Sequence, residues 1–191
     1  MSHHQPYLAM AQNNALANHT LFQAMAVLSK EEFTANRPGF FPSLCATLNH
    51  IHAVDLYYID ALVTGKSGRA VFARTPINDP NTMAKAQNST DMRLASICQN
   101  LTPQILAETR SVDRHAGPTQ ENIAALLLHL FQHQIHHRGQ AHVHLQSAGI
   151  APPQLDEFHL QFNRAPSAGK FEKCLPSPFD TPLYAYARHG D

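Results

Sequence analysis

The chain has 191 residues, and its 14 Lys+Arg balance 14 Asp+Glu to a formal net charge of zero. That length suits one domain with a short appendage and buries a self-sufficient core without disulfides or a structural metal. The charge balance and the lack of any Lys/Arg run exclude the cation excess with which a sequence-independent nucleic-acid binder displaces phosphate counterions.

The N-terminus, Met1 to Pro6, has no basic stretch followed by an apolar core, so no secretory signal is expected. No run of about 18 apolar residues predicts a spanning helix, and the chain reads as cytoplasmic, with no membrane partner. From Tyr7 to Leu28 the sequence is rich in Ala, Leu, Met, Gln and Asn without Gly or Pro, which predicts a helix. Ser29-Lys30-Glu31-Glu32 has the pattern of a capping box opening a short second helix, and Asn36-Arg37-Pro38-Gly39 stops it. A long helix is predicted from Ser43 to Val63, ended by Gly65.

Arg69 to Asn78 reads as a loop, and Pro80 to Leu101 as another helix broken by Thr102-Pro103. Ile105 to Gly117 carries no readable periodicity. A further helix is predicted from Pro118 or Thr119 to Ser147, with Gly149 as its C-terminal stop. Pro152-Pro153 then opens a short helix, Gln154 to Asn163, and a proline-rich extended tail follows from Ala165. Four long helices without strand alternation predict an all-α, four-helix bundle over 1–164, with 165–191 as the tail. The cysteines, Cys45, Cys98 and Cys174, are odd in number and form no Cys-x-x-Cys pair, which argues against a disulfide framework or a thiolate zinc site.

The unusual count is 14 histidines, several of them clustered. Each helical residue turns about 100°, so His137 lies about 40° from His133, and Leu126 and Leu130 lie about 20° and 60° away. The pair therefore shares a stripe with core-facing residues, and an i, i+4 histidine pair is the arrangement that lets two imidazoles grip one ion. In Leu48-Asn49-His50-Ile51-His52, His50 falls with Val54 and Ala61, while His52 lies about 200° away and is expected to meet water. His50 is accordingly the third candidate ligand. Three inward imidazoles pack poorly unless something binds them, since an unpaired buried polar group costs about 1–3 kcal/mol. A divalent cation resolves this and leaves coordination positions open, although imidazole alone does not choose among zinc, nickel, copper and iron.

The remaining histidines of the cluster, His129, His136, His142 and His144, read as surface residues or neighbours of the ligands, with His144 an alternate ligand. His133-Gln134-Ile135-His136-His137 has the skeleton of the metalloprotease motif H-E-x-x-H. Gln134 stands where the general-base glutamate would be, and an amide cannot accept the proton. The chain also lacks Glu-x-x-His, the di-iron signature of ferritin-like bundles. A second apolar strip, Leu128, Phe131 and Ile135, points away from the histidine stripe and predicts a covering element or a homodimer.

These residues resemble the DinB/YfiT family. The similarity runs through Gly39-Phe40-Phe41-Pro42-Ser43-Leu44, Thr47-Leu48-Asn49-His50-Ile51 and Asp55-Leu56-Tyr57-Tyr58-Ile59. It continues in Leu127 to Gln140, whose His136-His137-Arg138-Gly139-Gln140 run with His133 upstream is its most specific part, and in Gly149 to Asp156. Gln132 departs from the Asn common at that place in the family. The resemblance implies a four-helix bundle with a long crossover, often dimeric, and a nickel, zinc or iron site whose ligands carry over to His50, His133 and His137. Characterised relatives include thiol S-transferases and a thiol-dependent isomerase. The expected function is therefore a metal-dependent enzyme that activates a low-molecular-weight thiol or water for attack on a small electrophilic substrate. A non-catalytic, stress-responsive metal binder is the alternative. Asn49, Tyr57 and Gln140 are candidates to line the cavity.

Overall fold

In the structure, a computed structural model, residues 5–156 are described. Helix α1 spans Gln5–Met25, α2 Lys30–Thr34, α3 Leu44–Leu62, α4 Pro80–Gln99, α5 Pro103–Ala107 and α6 Ile123–Ser147. A 3-10 helix, Gly68–Ala73, interrupts the expected loop before α4. The capping box at α2 is formed in both directions: Glu32 N–H donates to Ser29 Oγ, and Ser29 N–H donates to Glu32 Oε2 at 2.8 Å. Ser43 Oγ caps α3 and Asp79 Oδ1 caps α4, where Pro80 occupies the first turn and loses no needed donor. At the end of α6, Gly149 takes φ +77°. There Gly149 N–H donates to Gln146 O and Ile150 N–H to Leu145 O, the paired bonds of a Schellman stop.

The unreadable stretch is α5 followed by a hairpin. Strand β1, Thr109–Arg114, pairs antiparallel with β2, Gly117–Asn122, with Val112 opposite Thr119. Pro118 and Thr119 therefore lie in a strand rather than opening α6, which starts at Ile123 with Asn122 Oδ1 accepting from Ala125 N–H. The chain is otherwise helical among the described residues. Residues 154–156, the start of the expected C-terminal helix, are not helical. The rest of that helix and the tail from Ala165 lie outside the described residues.

α1 packs against α4 and α6, and α3 packs against the same two, so α1 and α3 occupy opposite corners of a four-helix bundle. Two apolar clusters fix the helix directions. One gathers Ala11 of α1, Val54 to Leu62 of α3, Leu94 of α4 and Ile123 to Phe131 of α6. The other gathers Leu21 and Met25, Leu44 to Ile51, Met83, and Ala141 with Leu145. Thus α1 and α6 run one way, and α3 and α4 run the other. Because α3 and α4 are parallel, residues 63–79 must return along the bundle, and they form the long crossover.

Between the two clusters lies a belt of buried polar groups drawn from all four helices. Asp55, fully buried, accepts from Gln87 Nε2 at 2.7 Å and from Gln134 Nε2 at 2.9 Å. Asp91 accepts from Asn14, Asn18 and Gln87. Arg138 donates to the side-chain oxygens of Asn14 and Asn18. Two carboxyl groups thus share one guanidinium away from water. Burial first, then the charge of Asp91, pushes Asp55 up to about 8. Burial also raises Asp91, to about 7, against the pull of its amide donors and Arg138.

A carboxyl whose pKa is raised on folding binds its proton more tightly in the native state, so its contribution to stability falls as pH rises from the unfolded value, about 4, to the folded one. The two carboxyls are therefore expected to withdraw stability between about pH 4 and pH 8 and to have no further effect above it. Asp55→Asn should flatten that fall, whereas Asp55→Ala, which strands two buried amide donors, should cost about 1–3 kcal/mol. Scanning calorimetry of wild type and both variants from pH 4 to 8 checks this, and a difference between wild type and Asp55→Asn that does not change with pH contradicts the assignment.

Candidate metal centre

The belt places α3 against α6 in antiparallel fashion, and three imidazoles meet on the same level. His50 Nε2 lies 3.0 Å from His133 Nε2. Ring centroids are 4.5 Å apart for His50 and His137, and 4.4 Å for His133 and His137. One nitrogen from each ring can be chosen so that all three lie within 4.8 Å of one another. Two imidazole nitrogens bound at about 2.0–2.1 Å to one ion sit roughly 3–3.4 Å apart, so small side-chain rotations bring all three into range.

The donor set fits a divalent cation. Burial first, then the neighbouring His137, pushes His50 down to about 4. The same causes, with further histidines adding, push His133 down to about 3. Both are therefore neutral ligands at physiological pH. Nδ1 of His133 is buried with no partner, so the contact with His50 leaves that ring incompletely satisfied. His137 Nδ1 meets Gln140 Oε1 at 2.8 Å, which makes Nδ1 the protonated nitrogen and leaves Nε2 free to ligate. Phe41 packs on His50 and His137 with centroids 4.7 and 5.5 Å away, shielding one side of the cluster.

Two clefts reach the triad from the crossover side. The first, about 230 Å³, is lined by His50, Asn49, His52, Phe72, Arg74 and Thr75 among others. The second, about 270 Å³, is lined by His133, His129, Tyr57, Tyr58, Phe72 and Arg114 among others. Phe72 walls both. A further cavity, about 820 Å³ between α1, α6 and residues 152–156, touches none of the three imidazoles.

Several sequence expectations are corrected. His52 does not meet water: it is 6 % exposed, and its Nε2 lies 3.1 Å from Thr90 Oγ1 on α4. A helix flanked on both sides gives buried positions to opposite faces, which rotation from one core direction misses. His144 is not a surface residue: it is 1 % exposed against Gly39, where a Cβ would come within 2.7 Å of its Nε2, and it lies outside the group formed by His50, His133 and His137. Gln134 belongs to the buried belt, and its amide is committed to Asp55. Phe131 is in the core, while Leu128 and Ile135 are 60 % and 53 % exposed.

Asn49 lines the first cleft, and Tyr57 the second, where its hydroxyl donates to Asp113 O. Gln140 orients His137 and also contacts His136 Nε2 at 3.2 Å. Among the described residues, no helix is long and apolar enough to cross a membrane.

The profile described as the DinB family matches residues 1–167. A comparison with curated proteins gives no match. Among solved structures, a DinB-like protein from Bacillus cereus ATCC 10987 is similar at TM-score 0.57 and 19 % identity, covering 72 % of this chain and 89 % of that one. A DinB-like protein from Bacillus subtilis (YjoA) is similar at TM-score 0.58 and 19 % identity, covering 78 % of this chain and 96 % of its own. At that identity the likeness is one of fold.

For the metal-free chain, the lowered pKa values of His50 and His133 have a signed consequence. The unfolded chain takes up protons near pH 6.5 that the folded one refuses until about pH 4, so stability falls as pH drops through that window. Urea unfolding of chelator-treated protein between pH 7 and 4 should show a smaller acid-side loss of stability in His50→Gln than in wild type, because the buried carboxyls act alike in both proteins. Parallel profiles for the two proteins contradict the burial of a neutral His50.

Proposed function

The chain belongs to the DinB family, and on that premise we propose that it is a metal-dependent enzyme. One divalent ion is held by His50, His133 and His137, and a thiol or water is activated there for attack on a small electrophilic molecule. The observation that carries this reading is the convergence of three imidazoles from two helices on one point, with clefts on its open side. Three protein ligands are the number that leaves a coordination position for a reactant. Nickel, zinc and iron all suit imidazole, and when bound such an ion lowers the pKa of a thiol or water beside it.

The chain's own residues supply the rest. Gln140 holds the His137 tautomer, and Phe41 keeps water from one flank of the cluster. Tyr57, Tyr58 and Phe72 offer the second cleft an aromatic wall for an electrophile. A metalloprotease-like route has no general base, because Gln134 is an amide and faces Asp55. A low-molecular-weight thiol is the proposed co-substrate. A second copy of the chain is the proposed cover for exposed Leu128.

Protein purified without nickel resin, stripped and reloaded, is expected to bind one equivalent of metal. His133→Ala should weaken binding by more than the roughly 10–100-fold that losing an outer partner costs. Wild-type protein with no stoichiometric metal overturns the reading. Turnover in a screen of small thiols against electrophiles, lost in His137→Ala, supports the enzyme; a loaded protein inert across that panel is a metal binder only. Sedimentation should give a dimer that Leu128→Glu converts to monomer, and a wild-type monomer contradicts the pairing.

A further inference from the structure

The first cleft has a charge of its own. Arg74 follows the 3-10 helix in the crossover, and the segment it opens is tied to α3 beside the triad. Asn49 Nδ2 donates to Ile77 O at 2.9 Å, and Ile77 N–H donates to Asn49 Oδ1 at 2.8 Å. Because Asn49 precedes His50, this clamp fixes the Arg74 backbone relative to a ligand. No carboxylate lines the cleft.

Four other arginines are already occupied. Arg110 pairs with Glu108, and Arg114 pairs with Glu121 at 2.6 Å. Arg37 donates to backbone carbonyls, and Arg138 lies in the buried belt. Arg74 forms no ion pair among the described residues and lines the cleft alongside His50. The second cleft differs, since it carries both signs: Asp113 lines it together with Arg69, and the charge of Arg114 is spent on Glu121. One uncompensated guanidinium, with the uncharged Asn49 and Thr75 in the same lining, suits one planar monoanion.

We propose that the cleft beside His50 receives the carboxylate of a small molecule whose other end reacts at the triad, with Arg74 as the residue that selects for it. This rests on the metal reading of the triad. The cleft volume of about 230 Å³ restricts that molecule to a compact one rather than a peptide or nucleotide.

The test uses full-length protein loaded with cobalt(II), whose thiolate charge-transfer absorption reports binding. The probes are 3-mercaptopropionate and its neutral analogue 3-mercaptopropanamide. Wild type is expected to bind the carboxylate at least about 10-fold more tightly, the scale of one charge-assisted contact. Arg74→Ala should bring the ratio to about one and Arg74→Lys should keep part of it. Arg69→Ala, on the other cleft, should leave it intact, with cobalt content unchanged throughout. Equal wild-type affinities, or a preference that survives Arg74→Ala, overturn the assignment while the metal reading stands. A protein that takes up no cobalt overturns the metal reading, and this one with it.

Discussion

The arrangement depends on a requirement for mutual satisfaction among seven buried polar side chains: Asn14, Asn18, Asp55, Gln87, Asp91, Gln134 and Arg138. A buried donor or acceptor without a partner costs more than its hydrogen bond contributes, so these groups tolerate few relative placements of the helices that carry them. The belt joins all four long helices between two apolar clusters that would otherwise permit sliding. On α6, Gln134 and Arg138 form one i, i+4 pair, and His133 and His137 form another rotated by about 100°. The first pair faces the belt and the second faces His50. A slip of one residue between α3 and α6 would therefore break the Asp55–Gln134 bond and the triad together.

The same geometry explains why the triad is approached from one side. Since α3 and α4 are parallel, their connection must run back along the bundle, and it passes beside the imidazoles as the 3-10 helix and the Arg74–Asn78 segment. Asn49 pins that segment, while Asp60 accepts from Gly68 N–H at 2.9 Å and Asp113 from Arg69 N–H. Phe72 then stands between two clefts, one reaching His50 and the other His133. The opposite flank is closed by Phe41. The fold thus sets three imidazoles at the inner end of a divided approach, and the two clefts differ in charge.

Much of this was legible in the residues. The i, i+4 spacing of His133 and His137 and the apolar company of His50 located the triad, because core-facing stripes on two packed helices bring their imidazoles to one place. The capping box at Ser29 and the glycine stop at Gly149 marked helix ends through local hydrogen bonding, which needs no tertiary knowledge. The hairpin was not legible. Thr109 to Asn122 carries one buried apolar residue, Val112, and its Pro118-Thr119 step imitates a helix start, so pairing across the turn decides the structure there. The burial of His52 and His144 was missed for a related reason. Each packs against an element, α4 or the Gly39 turn, that single-helix rotation does not include. The belt itself left a trace in Asn14, Asn18, Gln87 and Asp91, polar residues at helical spacing on α1 and α4, but a solvated face has the same pattern.

The most direct test is a crystal of metal-loaded protein with data collected on either side of the metal's absorption edge. The account requires one anomalous peak at bonding distance from one nitrogen each of His50, His133 and His137, with at least one coordination position turned toward the clefts. A peak held by other residues, or none in a protein shown to be loaded, contradicts it.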